Sequence, residues 1–199
     1  MSVINIYGAG GHAKVVAEII RSCGDRVGEV YYDTPPMQYI DGVLPVNVSD
    51  VTLRGPMVIA IGLNEARKRI SGLYDLEYRR VIHPSAIISP SVLIDEGSVV
   101  MAGAIVNVDT RLGKHCIINT SASVDHDCVI SDFVHIAPHV AVCGNTRIGE
   151  GAFIGAGSVI IDGITIGRNC IIGAGSVVVS DIPDNTVAYG NPCRPVKTI

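Results

Sequence analysis

The sequence predicts an α/β N-terminal nucleotide-binding domain over residues 1–80, followed over 81–199 by a parallel β-helix of hexapeptide repeats with a C-terminal cap. Three observations predict it. A branched aliphatic residue recurs at every sixth position from Ile82 to Val178, seventeen times without a break. A second row lies two places before the first and runs from Ala86 to Ser176; fifteen of its sixteen residues are no larger than valine. Ahead of this repeat, VINIYGAGGHAKVVAEII has a different grammar: an apolar run, a glycine cluster, then helical periodicity.

The first unit assembles in order. Residues 3–7 are a buried strand, Gly8 to Gly11 a tight turn, and an amphipathic helix begins at about His12. Glycines there let a ligand approach the backbone, and a helix N-terminus offers free N–H groups to an anion. A second strand over roughly 27–32 leads to Asp33, about 20 residues past the turn, where dinucleotide folds place a ribose-binding acid. A third strand over 57–62 precedes the helical NEARKRI. This β-α-β-α-β unit is too short for a complete dinucleotide domain, so one nucleotide is expected. A glycine-rich turn alone also suits a plain strand-to-helix connection; the strand, the helix and Asp33 favour the nucleotide.

The second unit follows from the two rows. Alternate residues of a short strand point to opposite sides, so large aliphatics beside small residues fill a narrow triangular interior, three hexapeptides per coil. Cys116, Cys128 and Cys170 fall on the small row and read as core. Gly113, Asn119, Gly149, Gly155, Gly167 and Gly173 directly follow aliphatics, which suits corners with unusual backbone angles. Few helices are expected between 82 and 178, and the unbroken register argues against a sandwich of hairpins.

Composition narrows the function. A 48% hydrophobic content supplies a core, and a formal charge of −4 with scattered basic residues gives no footprint for nucleic acid or anionic membrane. MSVINIYGAGG lacks a signal-peptide pattern and no run of about 18 apolar residues occurs, so a cytoplasmic location is expected. The six cysteines include no CxxC pair and are expected to be free thiols.

SASVDHDCVISDFVHIAP, residues 121–138, holds the chemistry. Counted from the aliphatic row, His126 sits at phase +2 and His135 at +5, outside both inward rows, so neither is expected to be a buried core histidine. They are nine residues apart, half a coil, and therefore project from different faces. A trimer of parallel prisms would bring His126 of one chain towards His135 of the next. Histidine suits a general base near neutral pH, and a neighbouring carboxylate, Asp125 or Asp127, would raise its basicity and fix its tautomer. A zinc hydratase would need three converging imidazoles. His115, His126, His135 and His139 occupy phases +3, +2, +5 and +3, which make no repeated ligand row, and no metal is expected.

The hexapeptide pattern resembles the left-handed β-helix acyltransferases, a resemblance that implies a left-handed coil and a homotrimer. GAGGHAKVV ahead of that coil, with AIGLNEARKRI, HPSAIISPS, the histidine stretch and YGNPCRP, resembles the bacterial acetyltransferases of nucleotide-linked 4-amino-4,6-dideoxy sugars, a group that includes sialic acid O-acetyltransferase relatives. The resemblance implies that Gly10, Gly11, His12, Asp33 and Gly62 face the nucleotide sugar and that the coil binds acetyl-CoA as cosubstrate. It implies His126 as base, Asp127 as its partner and His135 as a contact of the acetyl thioester. Gly144, Ala156, Gly173 and Ala174 would admit the pantetheine arm, and Arg194 and Lys197 would meet the CoA phosphates, although the same tail also suits a cap over the coil's open end. The expected reaction is direct N-acetylation for glycan biosynthesis, at active sites between subunits; O-acetylation of a sugar hydroxyl or sialic acid is the alternative.

Overall fold

The structure is a computed structural model that describes residues 1–33 and 38–199. Its first unit is a four-stranded parallel sheet, ordered β3-β2-β1-β4, from β1 (Val3–Tyr7), β2 (Arg26–Tyr32), β3 (Val46–Asn47) and β4 (Met57–Ile59). Helix α1 (Gly11–Ser22) follows β1, and α2 (Asn64–Leu73) follows β4. In α1, Ala13, Val16, Ala17 and Ile20 recur at helical spacing and are buried. The helix stops in a Schellman turn: Asp25 N–H donates to Ile20 O, Gly24 N–H donates to Arg21 O, and Gly24 takes φ +79°. The short β3 was not expected from sequence, and the third strand ends at Ile59, short of the expected residue 62.

The second unit is a parallel β-helix. Two-residue strands β5 (Val81–Ile82) to β21 (Val177–Val178) recur every six residues, and each pairs with the strand 18 residues away, as Ile117 with Val99 and His135. They form three faces: a five-stranded sheet β7 to β19, a six-stranded sheet β6 to β21, and an eight-stranded sheet that β22 (Thr186–Gly190) and β23 (Cys193–Thr198) extend. Both inward rows are buried throughout the central coils, and Cys116, Cys128 and Cys170 are fully enclosed. All six cysteines are free thiols. Hydroxyls and thiols of the small row point along the axis: Ser98, Thr110, Cys116 and Cys128 each donate to the carbonyl 15 residues on, at 2.7 to 3.3 Å. Polar atoms inside the prism are thereby satisfied.

The corner expectation needs correction. Left-handed φ occurs three places after the aliphatic, at Asp109, His115, Ser121, Asp127, Phe133, His139 and Asn145, with values of 52 to 60°. Glycines one place after the aliphatic serve close stacking instead. A Cβ on Gly113 would lie 2.7 Å from Asp132 N, and one on Gly149 would lie 2.6 Å from Arg168 N, both in the next coil.

The two units share a core. The apolar face of α1 packs on Val81, Val99 and Ile117, the outward residues of the eight-stranded face. Arg67 of α2, 1% exposed, completes the junction: its guanidinium donates to His115 O, Ile61 O, Gly62 O, Phe133 O and Asn64 Oδ1, each at 2.9 to 3.0 Å. Asn64 in turn donates to Gly151 O and Ala152 O. Among the described residues, no helix is long and apolar enough to cross a membrane.

Candidate active site

Gly8 to Gly11, His12, Asp33, Gly62 and Arg69 line one cleft of about 530 Å³ between β1, β4 and the two helices. The glycines there divide into two kinds. Gly8, at φ +124°, has a structural reason, because a Cβ would sit 2.7 Å from Ala60 O. Around Gly10, Gly11 and Gly62 nothing lies within 4 Å of an added Cβ, so the protein's own packing leaves that space open. The α1 N-terminus carries no side-chain cap and no acidic residue in its first turn, leaving N–H groups free for an anion. Asp33 pairs with Arg69 at 3.0 Å at the cleft mouth. His12 turns inward: its Nε2 is buried without a hydrogen-bond partner among the described residues, and burial, followed by His135 and Arg67, brings its pKa down to about 4.

His135 departs from the sequence expectation. It is outward-pointing yet only 8% exposed, because the first domain covers the face that carries it. Its Nδ1 faces Gly62 O at 3.2 Å and its Nε2 faces Asn119 Nδ2 at 3.0 Å, so Nδ1 carries the proton and donates while Nε2 accepts. Burial, and secondarily Arg67, lowers its pKa to about 4, which leaves it neutral near pH 7.

His126 lies at the corner between β12 (Ser123–Val124) and β13 (Val129–Ile130), where six-stranded face meets five-stranded face. Its Nδ1 is 2.9 Å from Asp127 Oδ2. Asp125 is otherwise engaged, accepting from the His126 backbone N–H and from Asn107 Nδ2, both at 2.9 Å. Of the two carboxylates that the sequence leaves open, Asp127 is the one hydrogen-bonded to the ring. That hydrogen bond raises the pKa of His126; burial opposes it, and the charges of Asp125, Asp127 and Asp162 add further attraction for the proton. Aspartate also tolerates the left-handed φ of 58° that this corner imposes.

One coil on, Gly144 stands over the imidazole. A Cβ there would lie 2.6 Å from His126 Cε1 and 2.7 Å from Nε2, so a hydrogen at this position makes room for the ring. Gly144→Ala is therefore expected to displace the imidazole and lower kcat at least tenfold with the fold retained, since misplacement by about 1 Å costs on the order of 100-fold. Steady-state rates beside a thermal melt check this; an unchanged kcat would show the ring is free to move.

The remaining candidates lie elsewhere. Ala156 and Ala174, 18 residues apart and exposed, share the corner between eight- and six-stranded faces. Gly173, beside them, packs on β22, where a Cβ would lie 2.7 Å from Tyr189 Cβ. Arg194 and Lys197 lie on β23, which pairs antiparallel with β22 and lays the tail along the sheet, so the capping role is present in the fold. The candidate residues thus fall into two separate groups on one chain: a cleft with His12, Gly62 and His135 nearby, and a corner with His126, Asp127 and Gly144. Among the described residues, no three His, Cys, Asp or Glu side chains gather as a metal site.

Comparison with known proteins agrees with this architecture. Residues 3–72 match the family described as PglD N-terminal domain, and residues 145–180 match the bacterial transferase hexapeptide (six repeats). GDP-perosamine N-acetyltransferase of Escherichia coli O157:H7 is 27% identical over 177 residues, 82% of this chain and 80% of that protein. A mutant of perosamine N-acetyltransferase from Caulobacter crescentus, solved in complex with CoA and GDP-perosamine, superposes with a TM-score of 0.91 at 39% identity, covering 98% of this chain and 96% of the other. The acetyltransferase domain of PglB from Neisseria gonorrhoeae FA1090, in complex with acetyl coenzyme A, gives 0.88 at 37% identity, covering 98% of each chain. An α/β unit fused to a hexapeptide coil that bears an imidazole–carboxylate pair defines an acyltransferase of the hexapeptide-repeat class. Within that class, the chain belongs to the nucleotide-sugar N-acetyltransferase family.

Proposed function

We propose that this chain transfers the acetyl group of acetyl-CoA to the 4-amino group of a nucleotide-linked 4-amino-4,6-dideoxy sugar, with His126 as general base. The observation that carries the reading is the His126 Nδ1–Asp127 hydrogen bond on a coil docked to an open nucleotide cleft. The pair fixes the tautomer with Nε2 unprotonated and outward. The neutral amine attacks the thioester carbonyl carbon, and Nε2 takes the proton that the nitrogen sheds as the C–N bond forms. The C–S bond then breaks and the thiolate takes that proton from the imidazolium, leaving amide, thiol and a neutral base.

The diphosphate lies at the α1 N-terminus over Gly10 and Gly11, with Asp33 toward the ribose and Gly62 and His12 toward the sugar. His135 supports the wall against which the thioester lies. Gly144, Ala156, Gly173 and Ala174 border the pantetheine path, and Arg194 and Lys197 the CoA phosphates. Since His126 and the cleft occupy different faces, a second chain completes each site, in a homotrimer. Ile87, Ile105, Ala141, Val159 and Val177 point outward on the six-stranded face beside His126, with Ile87 66% exposed, and suit such a contact.

The test is thiol release from acetyl-CoA across nucleotide-linked 4-amino sugars, their 4-hydroxy counterparts and sialic acid. Turnover with at least one amine, at least 100-fold above any hydroxyl substrate, is expected. Turnover of hydroxyls alone overturns N-acetylation.

A further inference from the structure

Asp162 belongs to no part of the mechanism above, yet it occupies the same column as His126. Residues 126, 144 and 162 are 18 apart and stack on consecutive coils. The point where a Gly144 Cβ would stand is 2.7 Å from His126 Nε2 and 3.0 Å from Asp162 Oδ1. Without that methyl, imidazole and carboxylate both approach the same point. Asp162 is exposed to solvent, and Asn145 Nδ2, 3.3 Å from Oδ1, holds it in place.

We infer that Asp162 is a positioning residue for cationic acceptors: its carboxylate, brought close to His126 Nε2 at Gly144, draws the protonated amine of the sugar to the base. This rests on the reaction proposed above. A 4-amino sugar is largely an ammonium ion near neutral pH and must lose one proton before it can attack, whereas a hydroxyl acceptor is neutral. Among the described residues, the charged groups acting on His126 are Asp127 at Nδ1, Asp125 at the backbone N–H and Asp162 near Gly144, all of them acidic. Such a corner concentrates an ammonium and gives a neutral alcohol no advantage. The ammonium passes one proton to solvent, which leaves Nε2 free for the proton shed on attack, and the resulting amine is already in place.

Asp162→Asn keeps the shape and the oxygen that Asn145 meets. It is expected to raise KM for the amino sugar about fivefold, the scale of an exposed ion pair, with kcat and the KM for acetyl-CoA unchanged. The sign of the pH effect is fixed. Asp162 favours the protonated imidazole and activity needs the neutral one, so removing the charge moves the ascending limb of kcat/KM to lower pH. NMR titration of His126 in the free enzyme should show the same downward shift, and Asp162→Glu should restore much of the binding. Wild-type turnover of the amine with the limb, the amine KM and the titration all unmoved overturns the inference alone. A shifted titration with an unchanged amine KM overturns the acceptor-steering role. No turnover of any amine by the wild type overturns the reaction, and this inference with it.

Discussion

His126→Ala is expected to lower kcat on amino-sugar substrates by about 10²- to 10⁴-fold while KM for acetyl-CoA changes little, because a positioned base contributes on that scale in the transition state. The substitution is structurally mild. His126 is partly exposed, its ring spans the corner instead of filling the prism, and the inward neighbours Val124 and Cys128 keep their places. Its backbone also stays engaged, with the N–H donating to Asp125 and the carbonyl accepting from Asn145 N–H. A large rate loss with a thermal midpoint near wild type therefore reads as chemistry. Unchanged turnover would remove His126 from the mechanism and leave Asp127 explained by its corner conformation alone. Wild-type kcat/KM should rise with pH as the imidazole loses its proton, with the limb shifted upward from the ordinary histidine value because Asp127 holds the proton on.

Arg67→Ala is expected to cost about 3–5 kcal/mol, since four backbone carbonyls lose a charged donor at once and buried acceptors left unmade are expensive. For a chain of this size the midpoint should fall on the order of 10 °C. Burial lowers the pKa of the guanidinium only to about 10, so it remains charged near neutrality. The acceptors come from both units: Ile61 and Gly62 belong to the cleft, His115 and Phe133 to the coil. Differential scanning calorimetry and hydrogen exchange of the α2 amides report the loss, and Arg67→Lys should recover only part of it because an ammonium has three donors against five. A fall smaller than about 2 °C would mean that water replaces the guanidinium.

The coil was legible because its interior imposes a period. Thirty-two of the thirty-three positions in the two rows from Ile82 to Val178 obey one of two size rules, Ile164 being the exception, and the rows they define are the buried ones through the central coils. The turn at Gly8–Gly11 was legible because strand, glycines and helix agree. What escaped is what depends on docking. Phase told that His135 points out of the prism, but not that another domain lies there; the apolar outward residues Val81, Val99 and Ile117 in the same column were the available signal. Arg67, in a charged helical stretch, has the pattern of a solvated cation, and only the meeting of two units buries it. At the corner glycines the sequence pattern suggests unusual φ where the structure has close stacking, since small size serves both and composition does not separate them.

The column through His126, Gly144 and Asp162 gives the chain an address system in which sequence distance modulo eighteen names a face and the quotient names a height. Changes in length are then of two kinds. A segment of eighteen residues gained or lost preserves every face and alters only how many storeys separate two side chains. A gain or loss of six turns everything downstream by about a third of a revolution. The corner near His126 would then face a residue drawn from another wall, so the spacing between these three positions is as much a part of the site as their identities.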